Sequence, residues 1–200
     1  STAKKLSDFT ESDLIGTTSL RRKAQLLKLN PKLKIKDVRG NVDTRIKKMI
    51  EGQYDGLVMA AAGIERLKLN KHITEYLEYE LFLNAPGQGA IAVEINSKND
   101  ELDKIVSTIN HEKTMICTKN ERNFMKKMGG GCNYPIGAHS YVNEGKLILE
   151  GIVLSLDGKK SIKHRVESSN LNEDLSIDLS KKFNEENVRD LINEIDNEIK

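Results

Sequence analysis

Ile35-Lys36-Asp37-Val38-Arg39-Gly40-Asn41-Val42-Asp43-Thr44-Arg45-Ile46-Lys47-Lys48-Met49-Ile50-Glu51-Gly52 is followed, after a short gap, by Gly56-Leu57-Val58-Met59-Ala60-Ala61-Ala62-Gly63. Ile35 to Val38 reads as a strand. Val42, Ile46, Met49 and Ile50 then share one face at helical spacing, and Gly52 supplies a stop. Residues 56–62 form an unbroken apolar run ended by Gly63, which suits a parallel strand buried on both faces. Strand, helix and strand in that order predict βα units around a parallel sheet. The same alternation extends from Leu14 to Leu83, so the fold class is α/β.

Upstream, Gly16-Thr17-Thr18-Ser19-Leu20-Arg21-Arg22 sits where a strand gives way to a helix whose apolar face is Leu20, Ala24 and Leu27. Its hydroxyls can cap that helix. Two arginines in a first turn are unusual, because the helix dipole disfavours each cation there by roughly 0.3–1 kcal/mol. An anion bound at the turn would remove that penalty, since backbone N–H groups, hydroxyls and two guanidinium forks all present donors. The next βα turn repeats the arrangement: Arg39-Gly40-Asn41 follows a strand, and Arg45 lies near the start of the following helix. Two strand C-termini thus aim arginines at the edge where open parallel sheets bind ligands. Arg66 is a weaker third contributor. The competing reading is ordinary solvated charge.

Downstream, Asn84-Ala85-Pro86-Gly87-Gln88-Gly89 reads as a turn or hinge before a strand over Ala90 to Ile95. Helices are expected over Asp100 to Ile109 and over Glu112 to Met128, the second stopped by Gly129-Gly130-Gly131. Ile136 to Val142, Lys146 to Leu154 and Ser161 to Glu167 read as an antiparallel meander of three strands. Val188, Leu191, Ile192, Ile195 and Ile199 make an amphipathic stripe, so a helix closes the chain against that small sheet.

Charge narrows the function classes. The 32 basic and 30 acidic side chains leave a net +2, which makes no general case for nucleic acid. No stretch approaches the roughly 20 apolar residues of a membrane span, and the opening residues lack the apolar core of a signal peptide. A cytoplasmic or organelle-stroma location is expected. Cys117 and Cys132 form no CxxC pair, and His72, His111, His139 and His164 show no metal-ligand spacing, so no metal is expected. Cys117, inside a helix, reads as a small buried hydrophobe. Cys132 follows three glycines, where a thiolate could meet something bulky, but spacing alone names no electrophile. No carboxylate stands out as a general acid.

Taken together these motifs resemble the porphobilinogen deaminase (hydroxymethylbilane synthase) family: residues 16–22, Arg39-Gly40-Asn41 with Arg45, Ala61-Ala62-Gly63-Ile64-Glu65-Arg66-Leu67, Gly87-Gln88-Gly89-Ala90, and Gly130-Gly131-Cys132 with Pro135. The resemblance spans nearly all of residues 14 to 155. Pro86, where the family pattern has a small aliphatic residue, and the extra Gly129 depart from it slightly.

The resemblance implies a transferase that joins four porphobilinogen units with release of ammonia, in tetrapyrrole and haem biosynthesis. Growth would begin on a dipyrromethane cofactor held by a thioether to Cys132. Thr17, Ser19, Arg21, Arg22 and Arg45 would bind the acetate and propionate groups of the cofactor; Arg39, Arg45, Arg66 and Gln88 would hold the incoming porphobilinogen or growing polypyrrole. It further implies a periplasmic-binding-protein-like α/β domain over residues 1–84, a crossing segment over 85–108 that returns to a first domain, and a small α+β domain over 109–200. Most of the first domain, with the aspartate that acts as general acid, would lie outside this chain, with a separate N-terminal chain as one partner it allows; the intact protein would be a monomer. The alternative is a non-catalytic module of the two-lobed solute-receptor type, binding small carboxylates reversibly and leaving Cys132 unmodified.

Overall fold

The computed structural model describes residues 4–131 and 133–199. Its N-terminal part is a parallel sheet of β1 (Leu14–Gly16), β2 (Lys34–Lys36) and β3 (Gly56–Leu57) in the order β2-β1-β3. Ile15 lies opposite Ile35 on one side and Gly56 on the other. The connecting helices are α1 (Leu20–Leu29) and α2 (Val42–Ile50); α3 (Ala61–Arg66) follows β3. Both α1 and α2 begin on side-chain caps, Ser19 accepting from the Arg22 N–H and Asn41 from that of Thr44. Ile15, Leu26, Leu33 and Phe82 form the core beneath this sheet.

Two expected strands are corrected. The apolar run 56–62 is strand only to Leu57, and Ala61 already opens α3. The ladder ends because its neighbour does: after Val58 N–H reaches Gly16 O at 3.2 Å, β1 turns away, and the alanines adopt the helix they favour. Residues 90–95 form no strand, and Ile91 and Val93 are 88% and 54% exposed. A strand needs a neighbour to pair with, and none of the described strands runs beside this segment.

After α4 (Asp100–Ser107), helix α5 (Glu112–Lys127) leads into β4 (Ile136–Asn143), β5 (Lys146–Leu154) and β6 (Ser161–Ser168), an antiparallel meander as expected. Gly129, at φ +71°, takes the left-handed position that ends α5, and Gly130 N–H caps Met125 O at 3.3 Å. Two helices, not one, follow: α6 (Ser176–Glu185) and α7 (Val188–Ile199). The stripe Leu175, Leu179, Phe183 marks α6 in the sequence, and all three are fully buried. Together α5, α6 and α7 cover one face of the sheet around Phe124, Leu149, Val153 and Ile195.

The opposite face receives the first unit. Tyr79 stacks on His139 with ring centroids 3.8 Å apart, Ala138 N–H donates to Asn84 O at 2.9 Å, and Ala24 and Leu83 pack with Ile152 and Leu154. At the turn after β5, Gly158 lies so close to α1 that a Cβ there would stand 2.4 Å from Ala24 O. Helix α1 is thereby seated on the second sheet.

Candidate functional site

The C-terminal edge of the parallel sheet opens on a cleft of about 240 Å³ lined by Arg22, Gly40, Asn41, Val42, Arg45, Met59, Ala60 and Gly63. Three consecutive βα turns therefore meet where the motifs place arginines. The Arg22 guanidinium donates to Val58 O at 3.1 Å, and Arg45 Nε donates to Gly40 O at 2.7 Å. Burial, and secondly the positive charge of Arg45, holds Arg22 below the ordinary arginine range. Two like charges facing one cleft raise each other's energy, and a bound carboxylate would relieve it.

Thr17 is buried beneath this turn, its N–H donating to Lys36 O at 3.0 Å and its hydroxyl accepting from Ser19 N–H at 3.3 Å. Thr17 and Ser19 thus set the geometry of the α1 N-terminus without lining the cleft.

Arg21 points the other way. It is 5% exposed and donates to Leu83 O at 2.5 Å and to Gln88 Oε1 at 3.3 Å. Burial, and then the charge of Arg22, pulls its guanidinium below the ordinary arginine range, down to about 9. Gln88 is held behind the cleft by that contact and does not line it. Arg39 is exposed on the rim, with its carbonyl accepting from Lys48 Nζ at 2.9 Å. Arg66, in the last turn of α3, is exposed and does not line the cleft.

Cys132 lies outside the described residues. Before it, Gly131 has open space on its Cβ side; after it, Tyr134 OH bonds Asp196. Cys117 is half-buried against the second core, and burial pushes its thiol above the ordinary range, which suits a packing role.

Two residues escaped the motif reading. Gln25 is buried and closes a pair of bonds on Leu83, its Oε1 accepting from Leu83 N–H at 2.8 Å and its Nε2 donating to Leu83 O at 3.0 Å. Glu121 is buried on α5 and accepts from Gly87 N–H at 2.6 Å and Ser140 N–H at 2.8 Å. A signal existed for the second: Cys117, Glu121, Phe124 and Met128 share one helical face, and a carboxylate in an apolar stripe is informative.

Among the described residues no helix is long and apolar enough to cross a membrane, and no cluster of three or more His, Cys, Asp or Glu could hold a metal ion. The cleft does fit a group bearing carboxylates: it offers two guanidinium forks at helix N-termini, with no acidic side chain in its lining.

Comparison with known proteins agrees with this chemistry. Residues 1–104 match the family model described as porphobilinogen deaminase, dipyromethane cofactor binding domain, and residues 115–186 match that of the porphobilinogen deaminase C-terminal domain. A porphobilinogen deaminase of Thermus thermophilus is 40% identical over 195 residues, covering 96% of this chain and 65% of that protein. One from Syntrophomonas wolfei is 44% identical over 155 residues, covering 78% and 51%; one from Prochlorococcus marinus is 40% identical over 192 residues, covering 96% and 61%. The chain thus spans between about half and two thirds of the length of these curated relatives. With both of its parts matched in family order, the chain belongs to the porphobilinogen deaminase family.

Proposed function

We propose that the protein is a hydroxymethylbilane synthase, a transferase that joins four porphobilinogen units head to tail with release of ammonia, using a dipyrromethane attached through a thioether to Cys132. The observation that carries this reading is the convergence of Arg22 and Arg45 on one cleft in a member of this family. A dipyrromethane supplies, when bound, an electron-rich terminal pyrrole on which the chain grows.

The chain's own residues do the holding. Arg22 and Arg45 take side-chain carboxylates of cofactor or substrate in bidentate fashion, each pyrrole bringing two. Thr17 and Ser19 set the α1 N-terminus, whose first-turn N–H groups other than the capped one of Arg22 are a second source of donors. Arg21 and Gln88 form the wall behind, while Arg39 on the rim and Arg66 beyond it meet the growing polypyrrole. No carboxylate lines the cleft, so the acid that protonates the leaving amine is assigned to the part of the relatives that this chain does not span. Residues 1–84, 85–108 and 109–200 serve as cofactor-binding domain, crossing segment and cysteine-bearing domain of a monomeric protein of the cytoplasm or an organelle stroma.

Intact mass and peptide mapping of the protein, purified together with the part of its relatives that this chain does not span, test the reading. A dipyrromethane on the peptide containing Cys132, together with ammonia release from porphobilinogen, is the expected result. An unmodified thiol and reversible binding without ammonia would overturn it.

A further inference from the structure

Glu121 is a buried charge for which the cleft itself has no use. It is 7% exposed, and no lysine or arginine pairs with it among the described residues; the basic group that comes within 4.0 Å of Oε1 is His139 Nδ1. Taking an unpaired carboxylate out of water is expensive, and is tolerated only where well-placed donors satisfy it. Here the donors are two backbone amides from different parts of the chain. Ser140 lies on β4, inside the antiparallel sheet, whereas Gly87 lies in the 84–89 loop. Burial pushes the Glu121 carboxyl upward, and the two N–H groups partly offset that rise.

The loop leads directly to the site. Gln88, next to the anchored Gly87, accepts from Arg21 Nη2 at 3.3 Å, and Arg21 precedes Arg22 in the first turn of α1. Apart from Glu121, the loop is tied to β4 only at its start, where Ala138 N–H donates to Asn84 O, and to α1 through Gln88; Gln88 N–H to Ala85 O and Ala90 N–H to Gly87 O close the turn on itself, so that among the described residues Glu121 alone holds the Gly87 amide.

We propose that Glu121 is a positioning residue for the carboxylate cleft: it ties the Gly87 amide to the C-terminal sheet, so that Gln88 and Arg21 hold the first turn of α1 in register behind Arg22. The role rests on the carboxylate-binding reading above. It acts through the backbone of residues 87–88, and touches neither substrate nor cofactor.

The test uses the protein with its native termini and compares Glu121→Gln, Gln88→Ala and the double variant. Glutamine keeps the volume and one acceptor, so it loses one amide anchor without opening a hole. Hydrogen exchange across residues 84–89 and the Kd for porphobilinogen are measured together. Glu121→Gln is expected to speed exchange at Gly87 and weaken binding by about tenfold, the effect of one charge-assisted hydrogen bond. Gln88→Ala is expected to weaken binding comparably, and the double variant no more than the weaker single, because both act on one path. Independent, multiplying losses, or unchanged exchange at Gly87, would overturn the proposal. Absence of porphobilinogen binding in the unmodified protein is instead the failure of the carboxylate reading; normal binding with an unaltered Kd in Glu121→Gln is the failure of this one.

Discussion

The strands of the parallel sheet are three, three and two residues long, whereas those of the antiparallel sheet are eight, nine and eight. The first sheet hands over quickly to turns that carry donors, and its interior includes Thr17, Arg21 and Gln25. The second has an apolar core continuous from Phe124 to Ile195. Burial of apolar surface is the main favourable term in folding, so the second unit is the scaffold. The first supports a polar site partly by leaning on it, with Ala24 and Leu83 buried against Ile152 and Leu154. Binding groups sit on the part with the smaller core, and the part with the larger core holds them still.

Phe124→Ala should break this contrast most severely. The ring is fully buried, 5.0 Å from that of Phe183 and under Gly151, so its loss should cost about 3–5 kcal/mol in urea unfolding. A loss under about 1 kcal/mol would mean that the second unit is not the scaffold. Gly158→Ala probes the seam next: φ +72° disfavours a side chain, and the new Cβ would meet the α1 backbone. A destabilisation of about 1–3 kcal/mol is expected, with the two units melting apart in calorimetry. A single unshifted transition would show that α1 does not depend on the turn.

Arg45→Ala should separate binding from stability. Its side chain is half-buried on the cleft, and removal should change stability by less than about 1 kcal/mol while weakening carboxylate binding about tenfold, read by calorimetric titration. The smallest effect concerns Asp157 in the turn that seats α1. The Ser155 hydroxyl first, then the Lys159 N–H, hold its carboxyl at about 2, below the ordinary 3.8. Because the folded value is depressed, its contribution is present above pH 3.8 and is lost as pH falls through about 2. Comparing the acid midpoint with that of Asp157→Asn checks this; identical acid profiles would dissociate the turn from pH.

Much of the molecule was legible because its signals are local. The helical spacing of Val42, Ile46, Met49 and Ile50, the alternation of the meander and the glycine stop after α5 each depend on residues a few positions apart. So did the arginine edge, since a strand C-terminus followed by Arg-bearing turns specifies its own side of a parallel sheet. The limits of the apolar run at 56–62 and the unpaired state of 90–95 were decided by where neighbouring strands end, which no local pattern encodes. The inward turn of Arg21 was decided by Leu83 and Gln88, 62 and 67 residues away, and the anchoring of Gly87 by Glu121, 34 residues away. Sequence by itself determined which elements form and which chemistry they carry; tertiary structure decided which arginine faces the cleft and which supports it, because a buried charge goes where distant backbone groups can satisfy it.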